Sequence, residues 1–280
     1  SHRCWHCPAW DAKRLHFFSD RPELIQRARR DTADVPDHPY WTRGLLPRSW
    51  LGIPPWRPTY ATWTYRSPAA FPFTGVCAVD GSCTDPVDRL LSRGGASLAV
   101  PSAAATRDHC QLGAMLYTTV PLRDVDSQAC EISALILALD NGICPITVYC
   151  DCLSVVTDIH HGRHWCCDYD RPYFPLWREV RRRLDDHGAT VGPRLNASMF
   201  EVIKTAAHET WAAASSHGAS HLEWQLNRWA DKGAKWAAAA QDITVHHHRH
   251  VEKVPADHAT AAKWIGHVTA DAHAKKTPYH

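Results

Sequence analysis

The sequence predicts a mixed α/β fold in which a sheet of five strands is flanked by helices. Short apolar, β-branched and aromatic runs end at turn residues, and longer runs between them repeat apolar residues at helical spacing. The run 146–149 follows a helix long enough to cross a sheet, so it could lie parallel to the first strand. Strands that alternate with helices in this way are typical of layered α/β folds.

All of the predicted regular elements lie between residues 71 and 241. The first helix has Asp126 or Ser127 as a candidate N-cap, and the pair Asn141-Gly142 marks its end. The predicted strands are residues 73–79, 94–100, 111–120, 146–149 and 200–205. The predicted helices are residues 124–141, 153–160, 175–187 and 221–240.

Composition divides the chain into three regions. Residues 1–70 are rich in Trp, Pro, His and Arg and show no regular periodicity, so we expect an irregular, linker-like N-terminal extension. Residues 71–241 carry nearly all the periodic signal and are expected to form the folded domain. Residues 242–280 are rich in Ala and His and are expected to form a helical or disordered C-terminal tail.

The overall composition is that of a globular protein without a strong global charge. Of 280 residues, 45% are hydrophobic and 21% charged, and a net charge of +2 means that any basic surface must be local. The 11 cysteines form no regular framework, which indicates thiols in a reducing compartment and predicts an intracellular protein, cytoplasmic or nuclear. No apolar run approaches the roughly 20 residues that span a bilayer, so no membrane association is expected.

Four carboxylates occupy positions from which they could form one site. Asp80 and Asp151 lie at the ends of two predicted strands, and adjacent parallel strands would bring both to one edge of the sheet. Glu131 lies on the apolar face of the helix between them and is expected to point toward the sheet. Asp231 lies inside the last predicted helix.

This set of ligands predicts a site for Mg²⁺ or Mn²⁺ rather than zinc, because hard carboxylate oxygens prefer hard cations. Clustered carboxylates repel one another unless cations fill the site. Two ions about 3.5–4 Å apart could clamp the attacking and leaving oxygens of a phosphodiester. Each residue alone also has an ordinary explanation: Asp80 as a turn residue, Glu131 as a solvated helix position, Asp151 as an N-cap and Asp231 as an ion-pair partner.

Four segments resemble the ribonuclease H domain of cellular type 1 enzymes and of retroelement reverse transcriptases. They are VDGS, SQACEISALILAL, VYCDCLSVV and NRWADKGAKWA. The family order Asp, Glu, Asp, Asp is kept, whereas the first interval is longer than is typical and implies an insertion around residues 82–109. The resemblance implies a ribonuclease H-like fold and endonucleolytic hydrolysis of the RNA strand of RNA–DNA hybrids, with two Mg²⁺ ions per site (or Mn²⁺).

The resemblance also implies residue roles. The four carboxylates would be catalytic metal ligands, and His208 would be a catalytic histidine in the loop before the last helix, with His217 and His221 as competing candidates. Gln128 matches a position that contacts a ribose 2′-hydroxyl, the group that distinguishes RNA from DNA. Leu153 stands where the family often has a polar residue, which places one minor-groove contact in doubt. The substrate-binding positions of the matching motifs are Gly81, Ser82, Gln128 and Asn227.

A basic cluster on the helix 175–187 is a further candidate for contact with nucleic acid. Arg181 and Arg182, with neighbouring arginines, could track a phosphate backbone while Trp177 stacks. The alternative is a solvated helix face balanced by nearby acidic residues.

The first residues contain half of the ligands of a zinc site. Cys4 and Cys7, with His2 or His6, have the spacing of one such half. The segment resembles the cysteine-histidine segment that follows the polymerase domain in some non-LTR retroelement polyproteins. That resemblance implies an upstream polymerase domain of the same polyprotein as a partner and, more weakly, bound zinc.

Two other functions remain open from the sequence. The chain could be a catalytically inactive descendant that keeps the fold as a nucleic-acid or protein interaction module. It could also be another nuclease of the same fold. Proofreading exonucleases, however, place a second carboxylate where this chain has Ser82, and integrases end in a glutamate where it has Asp231.

Overall fold

The computed structural model describes most of the chain and divides it into two compact units. One unit is formed by Ser1–Pro54 and Ile243–His280, and the other by Pro55–Asp242. The predicted domain boundary at residues 70 and 71, and the predicted helix start at residue 124, lie outside the described residues. The described residues are 2–53, 62–65, 72–85, 90–122, 125–192, 199–241 and 243–274.

Helices and strands follow one another along the chain as follows. The strands are β1 (Thr62–Tyr65), β2 (Phe73–Thr84), β3 (Arg93–Pro101), β4 (Leu112–Val120), β5 (Gly142–Cys150), β6 (Thr190–Val191) and β7 (Met199–Lys204). The α-helices are α1 (Asp11–Phe17), α2 (Pro22–Asp34), α3 (Pro39–Arg43), α4 (Ser127–Asn141), α5 (Leu153–His160), α6 (Arg163–Cys166), α7 (Phe174–Asp186), α8 (Trp211–Ser216), α9 (His221–Ala239) and α10 (Val245–Ala274). Across the described ranges, no helix combines the length and the apolar character needed to cross a bilayer.

The first unit is a helical structure with an aromatic core, which differs from the expected linker and tail. Trp5, Phe18 and Trp41 are buried together with Trp264 of α10. The indole nitrogen of Trp264 donates to the carbonyl oxygen of Cys4 at 3.0 Å. The prolines begin helices α2 and α3 instead of marking irregular chain, as proline fits the first turn of a helix. Because their partner helix α10 follows about 200 residues later, local periodicity does not reveal this core.

The second unit contains the mixed sheet, which has more strands than the five predicted. The strand order is β1-β4-β3-β2-β5-β7-β6. All five predicted strands are present, but β1 adds a sixth strand of ordinary length at one edge, and the two-residue β6 extends the other. Strands β2, β5 and β7 are parallel, which confirms the predicted pairing of β5 with the first predicted strand, and β3 and β4 are antiparallel to their neighbours.

Helices cover both faces of this sheet. The core on one face joins β2, β3 and β5 to α4, α5 and α7, and that on the other joins β2, β3 and β4 to α9. Helix α9 lies so close to β3 that a Cβ at Gly95 would be 2.2 Å from the carbonyl oxygen of Ala234. Helix α4 begins at the Asp126 cap, whose side chain accepts a hydrogen bond from the Ala129 amide at 2.9 Å. These contacts place α4 and α9 beside the central parallel strands.

Candidate metal centre

Two adjacent parallel strands bring the first two acidic residues together. The ladder between β2 and β5 pairs Val79 with Cys150. Asp80 and Asp151 are the next residues of their chains and therefore stand at the same level. Glu131, in the second turn of α4, joins them, and one ligand oxygen from each of the three carboxylates lies within 4.8 Å of the other two. The structure therefore gathers three of the four carboxylates into one cluster.

Burial makes the charge on this cluster costly. The relative exposure of Asp80 is 4% and that of Glu131 is 6%. Burial, followed by the charges of Asp151 and Asp231, raises the pKa of Asp80 to about 8. Burial, followed by the charges of Asp80 and Asp151, also raises the pKa of Glu131 well above its ordinary value, while a backbone hydrogen bond at Gly81 opposes this shift. The carboxylates therefore disfavour full ionisation unless a cation offsets their charge.

The ligand set fits a hard divalent cation. The Oε2 atom of Glu131 is buried and has no hydrogen-bond partner among the described residues, which is unusual for a native carboxylate. Oxygen atoms from three carboxylates are the ligands that Mg²⁺ and Mn²⁺ prefer. No other group of three or more His, Cys, Asp or Glu side chains is suitable for a metal within the described part of the chain.

The fourth predicted carboxylate lies beside this cluster. The charge of Asp231 contributes to the raised pKa of Asp80. Asp231 is itself paired with Lys235, whose Nζ lies 2.7 Å from Asp231 Oδ1. Asn227, one turn earlier on α9, donates from Nδ2 to Asp151 Oδ2 at 3.3 Å. Helix α9 therefore supplies both an acidic neighbour and an amide that orients one of the three clustered carboxylates.

Of the three candidate histidines, His208 is the one that lies beside the acidic group. Its Nδ1 is 3.7 Å from Asp231 Oδ1, and its side chain is exposed. His208 adopts a left-handed conformation with φ 53°, which is uncommon for a residue other than glycine. His217 instead lies 3.3 Å from Glu209, and His221 accepts a hydrogen bond from the Cys110 amide at Nδ1.

The other residues that were predicted to contact the substrate differ from one another in their surroundings. A Cβ at Gly81 would be 2.2 Å from the backbone nitrogen of Glu131, so this glycine permits close packing of α4 on β2. Ser82 pairs with Gly95 of β3 and is partly buried. Gln128 is also partly buried and lies one helical turn before Glu131, on the same face of α4.

The basic cluster on α7 does not form the exposed surface that was predicted to contact nucleic acid. Arg181 is buried and donates from Nη2 to the carbonyl oxygen of Ile159 at 2.5 Å, so it supports the end of α5. Arg182 is exposed, and both Glu179 and Asp186 pair with it. Trp177 is almost fully buried. The predicted phosphate contact by Arg181 and the predicted stacking by Trp177 are therefore wrong, because both side chains belong to the core.

The N-terminal cysteine-histidine segment is organised by an arginine. The buried Arg14 donates to the carbonyl oxygens of Cys4 at 2.9 Å and Cys7 at 3.1 Å. His6 Nε2 lies 2.8 Å from Thr32 Oγ1. The described part of this segment contains no group of ligands suitable for a metal, so the zinc prediction gains no support.

A cleft beside Asp231 was not predicted from the sequence. It has a volume of about 510 Å³ and lies between the loop after β7 and helix α9. Trp211, Trp224 and Arg228 line it together with His208 and Asp231. Helix α8 has no clear periodic signal in the sequence, so a position of Trp211 beside α9 was not predicted. The spacing of Trp224, Arg228 and Asp231 on one helical face is the signal that could have indicated it.

Comparisons with known proteins add little to this description. No family model matches the chain, and no curated protein matches it. Among solved structures, LC9-RNase H1, a type 1 RNase H with the type 2 active-site motif, is similar at 15% identity and a TM-score of 0.39. The match covers 68% of this chain and 85% of that one. A likeness of this size carries no argument about function, which therefore depends on the geometry of the site.

Proposed function

We propose that the chain is an endonuclease that uses divalent cations to hydrolyse the RNA strand of RNA–DNA hybrids. The observation that carries this proposal is the cluster of Asp80, Glu131 and Asp151, in which Glu131 Oε2 is buried and has no hydrogen-bond partner among the described residues. A structural role alone does not account for three clustered carboxylates, two of them buried, with so little neutralising charge, because such burial is costly. Binding of cations at this position explains both why the three carboxylates cluster and why Glu131 Oε2 has no hydrogen-bond partner among the described residues.

The four carboxylates and their neighbours have distinct roles in this proposal. Asp80, Glu131 and Asp151 hold Mg²⁺ or Mn²⁺, two ions per site, and Asp231 completes one side. The bound ions supply positive charge for the phosphodiester oxygens and lower the pKa of water. Asn227 keeps Asp151 oriented through its hydrogen bond.

His208 is suited to moving a proton at the edge of the site. Its imidazole is exposed to solvent and lies beside Asp231, with Nδ1 3.7 Å from Asp231 Oδ1. A ring nitrogen of imidazole can either donate or accept a hydrogen bond, so His208 can exchange a proton both with solvent and with a substrate oxygen. We assign His208 the proton-transfer or product-release step and leave the cation ligands to the carboxylates.

The preference for RNA is assigned to the start of α4. Gln128 lies one turn before Glu131, so its amide would be close to a sugar whose phosphate is held by the carboxylates. An amide can both donate to and accept from a ribose 2′-hydroxyl, which DNA lacks. Gly81 and Ser82 lie next to Asp80 and are proposed to lie along the same RNA strand.

The wider setting is also a proposal. Similarity of the four segments to retroelement reverse transcriptases suggests a retroelement protein with an upstream polymerase domain. All 11 cysteines are free thiols, which supports a reducing, intracellular location, cytoplasmic or nuclear.

Cleavage of an end-labelled RNA–DNA hybrid tests the proposed function. We expect cutting of the RNA strand alone in Mg²⁺ or Mn²⁺, no cutting in EDTA, and loss of activity in Asp151→Asn. Asp186→Asn is the matched control, because Asp186 is exposed and only forms a surface ion pair with Arg182. A folded protein that cuts in neither cation would contradict the enzymatic proposal and favour a binding module.

A further inference from the structure

The cleft beside Asp231 contains an aromatic platform that the proposed hydrolysis does not use. The ring centroids of Trp211 and Trp224 are 5.5 Å apart, with an angle of 51° between the ring planes. The guanidinium of Arg228 lies 4.8 Å from the centroid of Trp224. Two indoles and a guanidinium therefore line one side of an open cleft with a volume of about 510 Å³.

The exposure of Trp211 and the charge of Arg228 indicate that this platform binds a ligand. Trp211 has a relative exposure of 37%, which leaves much of a large apolar ring in contact with water. Arg228 is exposed, and none of the described carboxylates lies within 4.0 Å of its guanidinium. A guanidinium without a carboxylate partner among the described residues, beside one exposed and one partly buried indole, is complementary to a ligand with a flat aromatic group and a negative charge.

Hydrogen bonds hold the platform in place before any ligand binds. The indole nitrogen of Trp224 donates to the carbonyl oxygen of Glu209 at 3.0 Å. The side chain of Thr210 accepts from the Ala213 amide and begins α8, and Ser220 begins α9 in the same way. A platform fixed in this way loses little conformational entropy when a ligand binds.

The cleft is continuous with the acidic centre. Asp231 and Asn227 both line it, and Asn227 also donates to Asp151 of the carboxylate cluster. Trp224 precedes Asp231 by two helical turns, a rise of about 10 Å. That distance corresponds to about three nucleotide steps of a stacked strand. A strand whose phosphate lies at the carboxylates can therefore reach the indoles.

We propose that this cleft binds an unpaired nucleotide of the nucleic-acid strand whose phosphate lies at the acidic centre. The inference rests on the proposed function, because that function places a phosphodiester at Asp80, Glu131 and Asp151. Inside a duplex, neighbouring bases cover both faces of each base, whereas an unpaired base can offer a free face to Trp211 or Trp224. Arg228 pairs with the adjoining phosphate.

Equilibrium binding of two hybrids to the full 280-residue chain tests this inference. One hybrid is blunt, and the other carries a short single-stranded extension of its RNA strand; fluorescence anisotropy is measured in Ca²⁺ under conditions where a gel shows no cutting. Stacking of one base contributes roughly 1–3 kcal/mol, so we expect the extended hybrid to bind about 5- to 150-fold more tightly. Trp211→Leu and Arg228→Ala should each remove most of this difference.

Trp165→Leu is the matched control. Trp165 has the same relative exposure of 37%, and the guanidinium of Arg171 lies over its ring at 3.1 Å, but it does not line the cleft. The advantage of the extended hybrid should persist in this variant. If it disappears there as well, the effect does not come from the cleft and the inference is overturned.

The remaining outcomes separate the inference from the proposed function. Equal affinity for the two hybrids, or an advantage that survives both cleft substitutions, overturns the inference while leaving cleavage of the blunt hybrid in Mg²⁺ as evidence for the enzyme. An advantage that both cleft substitutions remove, without cleavage in Mg²⁺ or Mn²⁺, supports the nucleotide site and overturns the hydrolytic function. Absence of binding to either hybrid overturns the inference.

Discussion

Gly81 and Glu131 are in such close contact that no other residue fits at position 81 without movement of the backbone. A Cβ at Gly81 would lie 2.2 Å from the backbone nitrogen of Glu131 and 2.4 Å from the carbonyl carbon of Cys130. Helix α4 can therefore approach β2 only because position 81 is glycine. This approach brings the Glu131 carboxylate to Asp80, so a packing contact determines the geometry of the proposed metal centre.

Gly81→Ala should consequently impair both stability and activity. Real Cβ atoms do not approach backbone atoms this closely, so α4 must move away from β2, and overpacking of this kind typically costs about 1–3 kcal/mol. Thermal unfolding and hybrid cleavage measure the two effects. Gly266→Ala is the control, because nothing lies within 4 Å of a Cβ at Gly266. An unchanged melting temperature with full cleavage in Gly81→Ala would contradict the packing role.

Glu131→Gln should separate the stability of the metal-free protein from its response to cations. The amide keeps the shape of the side chain and cannot ionise, and burial, Asp80 and Asp151 all disfavour ionisation at this position. We expect the variant, in EDTA at pH 8, to unfold at the same temperature as the parent or higher. We also expect it to lose most of the stabilisation that Mg²⁺ gives the parent. Equal stabilisation of both proteins by Mg²⁺ would argue against Glu131 as a ligand.

The metal-free protein should become less stable as pH rises from about 4 to about 8. The pKa of Asp80 is raised from 3.8 to about 8, first by burial and then by Asp151 and Asp231. The folded state therefore keeps a proton that the unfolded chain releases, and the free energy of unfolding falls with pH across this interval. The slope contributed by one proton is at most about 1.4 kcal/mol per pH unit.

Asp80→Asn isolates this contribution, because the variant has no proton to lose at position 80. Denaturant unfolding in EDTA across the same pH interval should show the variant gaining stability relative to the parent as pH rises. Mg²⁺ should reduce the difference. A difference between the two proteins that stays constant with pH would show that Asp80 does not titrate in this interval.

His208→Ala should reduce cleavage while leaving stability unchanged. The side chain of His208 is 66% exposed and lies beside Asp231, so its removal affects proton transfer more than packing. General acid–base groups typically contribute about 10²- to 10⁴-fold, and we expect a loss near the lower end. His217→Ala is a matched control, since His217 is 67% exposed and pairs with Glu209 instead. Similar cleavage rates for the two variants, both in a single turnover and at steady state, would remove His208 from the mechanism, since only the steady-state rate includes product release.

Trp264→Ala should destabilise the helical unit. Trp264 is almost fully buried, lies 5.7 Å from the ring of Trp10 and donates to Cys4. Truncation of a buried tryptophan to alanine typically costs about 3–5 kcal/mol. Denaturant unfolding followed by near-ultraviolet circular dichroism measures the loss, with the exposed Trp236→Ala as control. A loss below about 1 kcal/mol would show that α10 is a loosely attached tail, as the sequence suggested.

Most of the sheet and the elements that carry the carboxylates could be predicted because their signals are local. The run before Asp80 is apolar and β-prone, and the turn residues Gly81-Ser82 predict that the strand ends there. In the structure, β2 continues to Thr84. The cap at Asp126 and the stop after Asn141 bound α4 almost as expected. Strand β1 has four residues and lies in a proline- and tryptophan-rich region without regular periodicity, so it was not predicted.

Side-chain environments were predicted less well. Arg181 is typical of a solvated basic helix face by sequence, yet it is buried and supports α5. The predicted environment of Trp177 differs from the structure as well, because its ring packs in the core that α7 shares with α4 and α5. Which face of a helix is covered depends on the elements that pack against it, and those elements lie far away in the sequence.

By itself, the sequence determined the order and type of the elements that carry Asp80, Glu131, Asp151 and Asp231, because periodicity, caps and turn residues act over a few positions. Only the tertiary structure decided that three of these carboxylates form one cluster, with Asp80 and Glu131 buried, and that Asp231 lies beside it. It also decided that distant tryptophans form a helical core. Burial and the distance between charges depend on which segments pack together, and the free energy of that packing comes from contacts between residues that are far apart along the chain.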